Sequence, residues 1–354
     1  MRMLADCVTP WVQPRGFSWR AVLFTRYDVI HLHWPEYLVN TPSAPKRLAS
    51  RVLFALLLIR LRIFPVTVVR TRHNKSAHVE LAKVDAALLS RLQRKVSLEI
   101  RMNHAVVGDV VIDRHPQVIY IPHGNYGPYL NSLHGGRKRN ARDNSGMHLL
   151  CFGLLREYKN FDEVMRTVAM LSADVDVSLR VAGNSADAAY AAFLRGIAED
   201  SAGRVSLDVG RVDDEALVRI VEDCDFVVVP YTDLYNSGVI LLALSLEVPV
   251  VLRDSSAARA LLEEFGGEWI KIYADSFTAE VINLLMTQKN VVPNCFPSVQ
   301  WRPEREWSYI GFKTVEAYRR ASVSRRHAWW SLKTRRRPGM GFVEPPSMDS
   351  GAGQ

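Results

Sequence analysis

The chain has 354 residues, enough for two cores, and with 48% hydrophobic and 23% charged residues it is globular and not disordered. Its four cysteines (Cys7, Cys151, Cys224 and Cys295) lie far apart with neither paired nor metal-ligand spacing, which argues against a disulfide-stapled domain and for a reducing cytosol. The formal charge is +8, but residues 319–337 carry eight Lys/Arg and no acid, so the whole excess sits in that one segment.

In chain order, MRMLADCVTP lacks the continuous apolar run of a secretory signal. The longest apolar run, VLFALLLI at 52–59, is well short of the roughly 20 residues needed to span a bilayer. No membrane-spanning segment is expected, which favours the cytoplasm. Strands are predicted at YDVIHLHW (27–34), VTVVRTRH (66–73), HAVVGD (104–109) and QVIYIP (117–122), with helices at 45–61 and 78–101. A polar, Gly-containing linker, NSLHGGRKRNARDNSGM, follows at about 131–146.

From residue 147 the chain alternates strand and helix through six βα units. Asn160 with Glu163 three residues on predicts a capping box at the first of these helices. The strands, such as VSLRVAG and DFVVVPYT, are too apolar for a sheet with one wet face, so a parallel sheet covered on both sides is expected. The fold class is α/β, with two Rossmann-like doubly wound parallel-sheet domains facing a cleft. The first covers 1–130 and the second 147–300; a helix occupies 301–333, and a Pro/Gly/Ser-rich tail at 334–354 reads as disordered.

Ligands of open parallel sheets bind beyond the carboxyl ends of the strands, and the unusual polar residues cluster there. FGLLREYKN places Gly153, Arg156 and Lys159 beside a helix start, a group suited to a diphosphate: a glycine for close approach, a guanidinium fork and a point charge. YNSG places Asn236, Ser237 and Gly238 at the start of a helix expected nearby, a second anion cradle. Ordinary N-capping and surface cations are the plainer alternatives. In the first domain His33 and His73 stand at strand ends with Glu36 and Asn74 alongside, and IPHGNY adds His123. Packed or capping histidines are the plainer reading, but three at corresponding places favour function.

Two basic regions remain. In 319–337, Trp329 and Trp330 among the arginines fit an anionic membrane surface, with a solvated tail as the alternative; no nucleic-acid-binding motif accompanies them. The acid-free stretch from Tyr37 to Val79 contains KRLASRVLFALLLIRLRIF, which reads as a core helix ahead of a membrane-inserting one.

HLHWPE, TRHN, IPHGNY, FGLLREYKN and YNSGVILLALSLEVPVV, in this order and spacing, resemble bacterial glycosyltransferases of the two-Rossmann-domain GT-B type. The likeness is to the family 4-like enzymes of exopolysaccharide and glycolipid assembly, over roughly residues 17–320. The resemblance implies transfer of a hexose from a nucleoside diphosphate sugar, such as GDP-mannose, to a glycan or lipid-linked acceptor; no cofactor and no metal are expected. It implies that Gly153, Arg156 and Lys159 hold the donor diphosphate, that Asn236–Gly238 lie against phosphate or sugar, and that His73 touches the donor sugar. It places Asn74, His123, Asn125 and Tyr126 on the acceptor side of the cleft, and has the C-terminal helix cross back onto the first domain. His73, Glu36 and His33 are the candidates for a catalytic base.

Two departures qualify the likeness. The family's paired glutamates fall on Leu234 and Leu242, which leaves retention or inversion open. MRMLADCVTPWVQPRGFSWR resembles only the end of the family's first helix and its second strand, so the first domain is expected to lack about one βα unit. An inactive scaffold or a nucleotide-sugar epimerase stays open as an alternative.

Overall fold

A computed structural model describes residues 2–41, 43–73, 81–102, 116–134, 146–232, 234, 238–291 and 298–324. In the first half, strands β1 (Val29–Leu32), β2 (Thr67–Arg72), β3 (Val96–Arg101) and β4 (Gln117–Tyr120) pair in chain order, all parallel. Parallel neighbours need crossover connections, here helices α3 (Ala44–Ile63) and α4 (Lys83–Gln93). Both cover one face of the sheet, where Phe54, Leu57 and Leu61 of α3 and Leu88 and Leu92 of α4 pack on Ile30, Leu32 and Val68. The other face belongs to the C-terminal helix α12 (Trp307–Ser324), whose Ile310, Ala317 and Tyr318 pack on Val69, Leu98 and Ile100. Helix α1 (Arg2–Val8) lies on α12 so closely that a β-carbon at Gly311 would come within 2.4 Å of the Cys7 carbonyl oxygen.

Three local expectations change. The helix predicted over 78–101 ends at Gln93, and β3 follows from Val96. Pairing on both sides decides this segment: Val96, Leu98 and Ile100 are buried between β2 and β4, and the buried Glu99 carboxylate is met by Arg101 at 2.7 Å and Arg72 at 3.8 Å. The strand candidate at 104–109 lies outside the described residues. The N-terminal segment forms α1 and α2 (Trp19–Phe24, capped by the Ser18 side chain) and no strand. Pro10 and Pro14 between them lack the amide donors a strand would use. Helix α5 (Gly127–His134) takes the first residues of the predicted linker.

The second half forms all six units. Strands β5 (Met147–Phe152), β6 (Val177–Gly183), β7 (Val205–Val209), β8 (Phe226–Val229), β9 (Val250–Arg253) and β10 (Ile270–Tyr273) are parallel, in the order β10-β9-β8-β5-β6-β7. The intervening helices are α6 (Phe161–Ala169), α7 (Ala188–Glu199), α8 (Asp214–Glu222), α9 (Gly238–Ser245) and α10 (Ser256–Phe265), with α11 (Ala279–Val291) after β10. The order reverses between β5 and β8, the switch point at which doubly wound sheets open a crevice.

The predicted capping box does not form. Asn160 sits in the left-handed region at φ 53° and makes no side-chain cap, while the Glu163 carboxylate accepts the Phe277 amide at 2.7 Å. At the strand ends the backbones converge: a β-carbon at Gly183 would lie 1.7 Å from the Gly153 carbonyl oxygen. Gly183→Ala is therefore expected to cost about 3 kcal/mol or more, because backbone cannot yield as a flexible side chain does. Urea denaturation measures it, and a change within 0.5 kcal/mol, as is usual for a neutral surface substitution, would show that the two strand ends are not in contact.

Candidate active site

The loop leaving β5 carries Gly153, Arg156 and Lys159. Gly153 adopts φ 118°, which only glycine takes readily, and a β-carbon there would meet the Lys159 ammonium at 3.0 Å and a Val239 methyl at 3.6 Å. Val239 belongs to α9, so the β5 loop and the start of α9 meet across the switch point. The Lys159 ammonium also stands 4.9 Å from the centroid of the Tyr231 ring, in the turn after β8. Asn236 and Ser237 lie outside the described residues; Gly238 opens α9.

Lys159 is 9% exposed, and burial, then the nearby Arg156 guanidinium, lowers its pKa from 10.5 to about 8. No ion pair ties Lys159 or Arg156 to a carboxylate among the described residues. Two cations held together without a carboxylate between them form a site that an anion would relieve.

The first domain brings histidines together. On β1 and β2, alternate residues share a face. His31 and Thr71 are joined by a 2.7 Å hydrogen bond on the α12 side, and the His31 Nδ1 pairs with the Tyr318 hydroxyl at 2.8 Å. Two residues further along each strand direction, His33 Nδ1 and His73 Nε2 share a hydrogen bond of 2.8 Å. Trp34 stacks on His73 with ring centroids 4.0 Å apart. Burial first, then the neighbouring imidazoles, lowers His31, His33 and His73 from 6.5 to about 3, so all three are neutral at pH 7.

Glu36 is placed differently. Its carboxylate accepts from Arg70 at 2.7 Å, and Arg70 donates its other nitrogen to Gln93 of α4 at 2.6 Å. Arg70 alternates with Val69 and Thr71, so this cluster faces the α3/α4 side, opposite His31 and Tyr318. The ion pair occupies the carboxylate expected among the bases.

Between the domains, the segment after β4 is stitched to both. The His123 ring lies 5.5 Å from that of Tyr126, and its nearness helps hold His73 down. The Tyr126 amide donates to the Ser245 hydroxyl at the end of α9 at 2.9 Å, and a β-carbon at Gly238 would come 2.9 Å from the Tyr126 hydroxyl. His123 and Tyr126 thus form a wall that runs from near His73 to the start of α9. Asn125 does not line it: 4% exposed, it donates to Glu306 at 3.1 Å and accepts the Gly127 amide at 3.0 Å. Arg305 completes the joint, bidentate to Glu264 at 2.5 and 2.7 Å and donating to the His123 carbonyl at 3.1 Å. Asn74 lies outside the described residues.

Sequence reasoning missed His31, Trp34, Tyr231, Ser245 and Arg305. His31 had a signal, since it precedes His33 by one strand period; Arg305 had none, because only the packed joint gives it a partner. The chain's two Asp-x-Asp pairs, 174–176 and 223–225, fall at the amino ends of β6 and β8, away from this wall. Asp225 there accepts the His148 amide and pairs with Lys289 at 3.0 Å.

Comparison with known proteins shows the family. Residues 146–287 match the family described as glycosyl transferases group 1. Over 315 residues the chain is 35% identical to a GDP-mannose:glycolipid 4-beta-D-mannosyltransferase of Xanthomonas campestris pv. campestris, covering 88% of this chain and 85% of that protein. The chain is a GT-B glycosyltransferase. A second Xanthomonas campestris pv. campestris protein of the same name is 34% identical over the same shares. Among solved structures, the glycosyltransferase superposes on Anabaena HepE in complex with UDP-glucose with a TM-score of 0.51 and 15% identity, covering 91% of this chain and 81% of that one. It also superposes on sucrose-phosphate synthase of Thermosynechococcus elongatus with a TM-score of 0.51 and 14% identity, covering 87% and 74%. The relatives favour neither the epimerase nor the scaffold alternative. Leu234 and Leu242, where the commoner family pattern has glutamates, pack into the second core.

Proposed function

We propose that this glycosyltransferase moves mannose from GDP-mannose to a sugar of a glycolipid and inverts the anomeric carbon. The observation that carries the donor half is the meeting of Gly153 and Lys159 with the start of α9 at the switch point. The relatives' printed name supplies the mannose donor, the glycolipid and the beta linkage. Because nucleoside diphosphate mannose is linked through its alpha position, a beta product requires attack from the opposite face.

Inversion needs a base to take the proton of the attacking hydroxyl. The His33–His73 pair is the candidate, being neutral; burial holds both rings at about 3 in the free protein, so the role requires the anionic donor to raise their affinity for a proton. The acceptor oxygen forms its bond to C1 as the bond from C1 to the diphosphate oxygen breaks. The electron pair leaves with GDP, and the acceptor proton passes to the imidazole pair, whose shared hydrogen bond spreads the gained charge. Lys159 and Arg156 stabilise the charge developing on the leaving diphosphate. Tyr126 and His123 bound the acceptor side. The acceptor's lipid brings the reaction to a membrane surface; the basic segment 319–337 would favour an anionic one over nucleic acid, although from residue 325 it lies outside the described residues.

The test is product analysis with purified protein, a panel of sugar nucleotides and glycolipid acceptors. GDP-mannose alone is expected to support transfer, with product sugar released by a β-mannosidase and not by an α-mannosidase. Release by the α-specific enzyme would overturn inversion and remove the need for the histidine base.

A further inference from the structure

We propose that the outer face of α3, with the end of α2, is a docking surface for an anionic phospholipid bilayer. The inward stripe of α3 is Phe54, Leu57 and Leu61, all buried. Its opposite stripe is equally apolar: Leu48, Val52, Leu56, Ile59 and Ile63 are between 45% and 67% exposed. Their spacings of three and four residues set them in one row, about 22 Å long at the helical rise. A helix that only crosses between two strands has no use for a second apolar row, and monomeric proteins rarely expose one of this extent.

The row is extended at one end. Arg60 donates to the carbonyls of Leu23 and Thr25 and stacks 4.8 Å from the Phe64 ring, which fixes the end of α2 beside the end of α3. Phe24, between those carbonyls, is 80% exposed, and Phe64 is 49% exposed.

Charge selects the occupant. No acid occurs between Asp6 and Asp28, or from Tyr37 to Val79, so neither α2 nor α3 carries one. Arg20 lies in the first turn of α2 and Arg26 just beyond its end, and Lys46 and Arg62 stand near the two ends of α3; all four are exposed. An apolar row rimmed by cations matches an interface with acyl chains below and anionic headgroups around it. A second copy of this chain would bring the same cations face to face. No described helix is long and apolar enough to cross a membrane, so the contact lies on the surface. This surface is separate from the donor cradle and the histidine wall, and the proposal does not depend on the assigned reaction.

Vesicle flotation of the full chain tests it. Binding to vesicles of phosphatidylglycerol and phosphatidylcholine is expected to exceed binding to phosphatidylcholine alone by about tenfold. The variant Val52→Ser, Leu56→Ser, Ile59→Ser is expected to lose about tenfold of that binding or more, with its melting temperature and its stabilisation by GDP kept. Should the triple variant fail to fold, Leu48→Ser with Ile63→Ser, at the two ends of the row, carries the same expectation. Lys46→Gln with Arg62→Gln is expected to reduce the preference for the anionic lipid. Failure of the wild-type chain to bind, or apolar variants that bind as the wild type does, would overturn the proposal, the second outcome placing the anchor elsewhere. A lipid-free dimer of the wild type, abolished by the serine variants, would instead assign the row to a second copy.

Discussion

Lys159→Met will lower kcat/KM by about 10- to 100-fold, the loss of one charge-assisted contact to the diphosphate, and adding Arg156→Ala will take the loss to about 1,000-fold or more. The free protein should respond in the opposite sense. Burial already pushes the Lys159 ammonium down to about 8, so the fold bears its desolvation, and the methionine variant should melt at the same temperature or higher. Stabilisation by GDP should disappear in the same variant.

The pH dependence gives an independent reading. An anionic diphosphate raises the ammonium's pKa, so the complex keeps a proton that the free enzyme loses above pH 8. Affinity for GDP is therefore expected to be level below that value and to fall as pH rises through the window between the free and bound values. In Lys159→Met that slope should be absent. Calorimetric titration from neutral to alkaline pH measures both, and a wild-type affinity that does not fall above pH 8 would place the diphosphate away from Lys159.

The second large effect concerns the histidines. His33→Gln and His73→Gln are each expected to lower kcat by about 100- to 10,000-fold with little change in GDP affinity, the range for a general base. The double variant should lose little more than the worse single one, because the two rings act through one shared proton. Equal losses in kcat and in GDP affinity would instead make them donor-binding groups.

Acid stability follows from the same cluster. Each imidazole is lowered from 6.5 to about 3 in the folded chain, so the unfolded chain binds more protons between those values. Stability from this cluster is complete above pH 6.5 and is lost as pH falls toward 3, with up to three protons taken up on unfolding. His31 belongs to this stability effect and not to catalysis, since both its ring nitrogens are held by Tyr318 and Thr71.

Much of this was legible in the residues, and the limits are physical. The six βα units of the second half could be read because each strand is a continuous apolar run bounded by turn residues, a pattern that stays inside one window of sequence. That Gly153 and Lys159 follow β5 and that Gly238 opens α9 was legible because a strand end and a helix start are local features; Asn236 and Ser237 lie outside the described residues. β3 was lost inside a helix because VSLEIR acquires its strand character from neighbours on both sides. Asn125 looked like a cleft residue until Glu306 and Gly127 took its amide, and Glu36 looked like a base until Arg70 did the same for its carboxylate.

α3 shows the division most clearly. Its sequence determined that it is apolar nearly all round and rimmed by cations, since composition is a local property. Only the tertiary structure decided which apolar row is spent on the core and which is left over, because a helix between two parallel strands can bury only the side that meets the sheet. The same holds for the candidate site: local sequence placed cations and histidines at the ends of strands. Strand pairing order decided that His33 meets His73 and that the β5 loop meets α9, because such contacts join residues far apart along the chain.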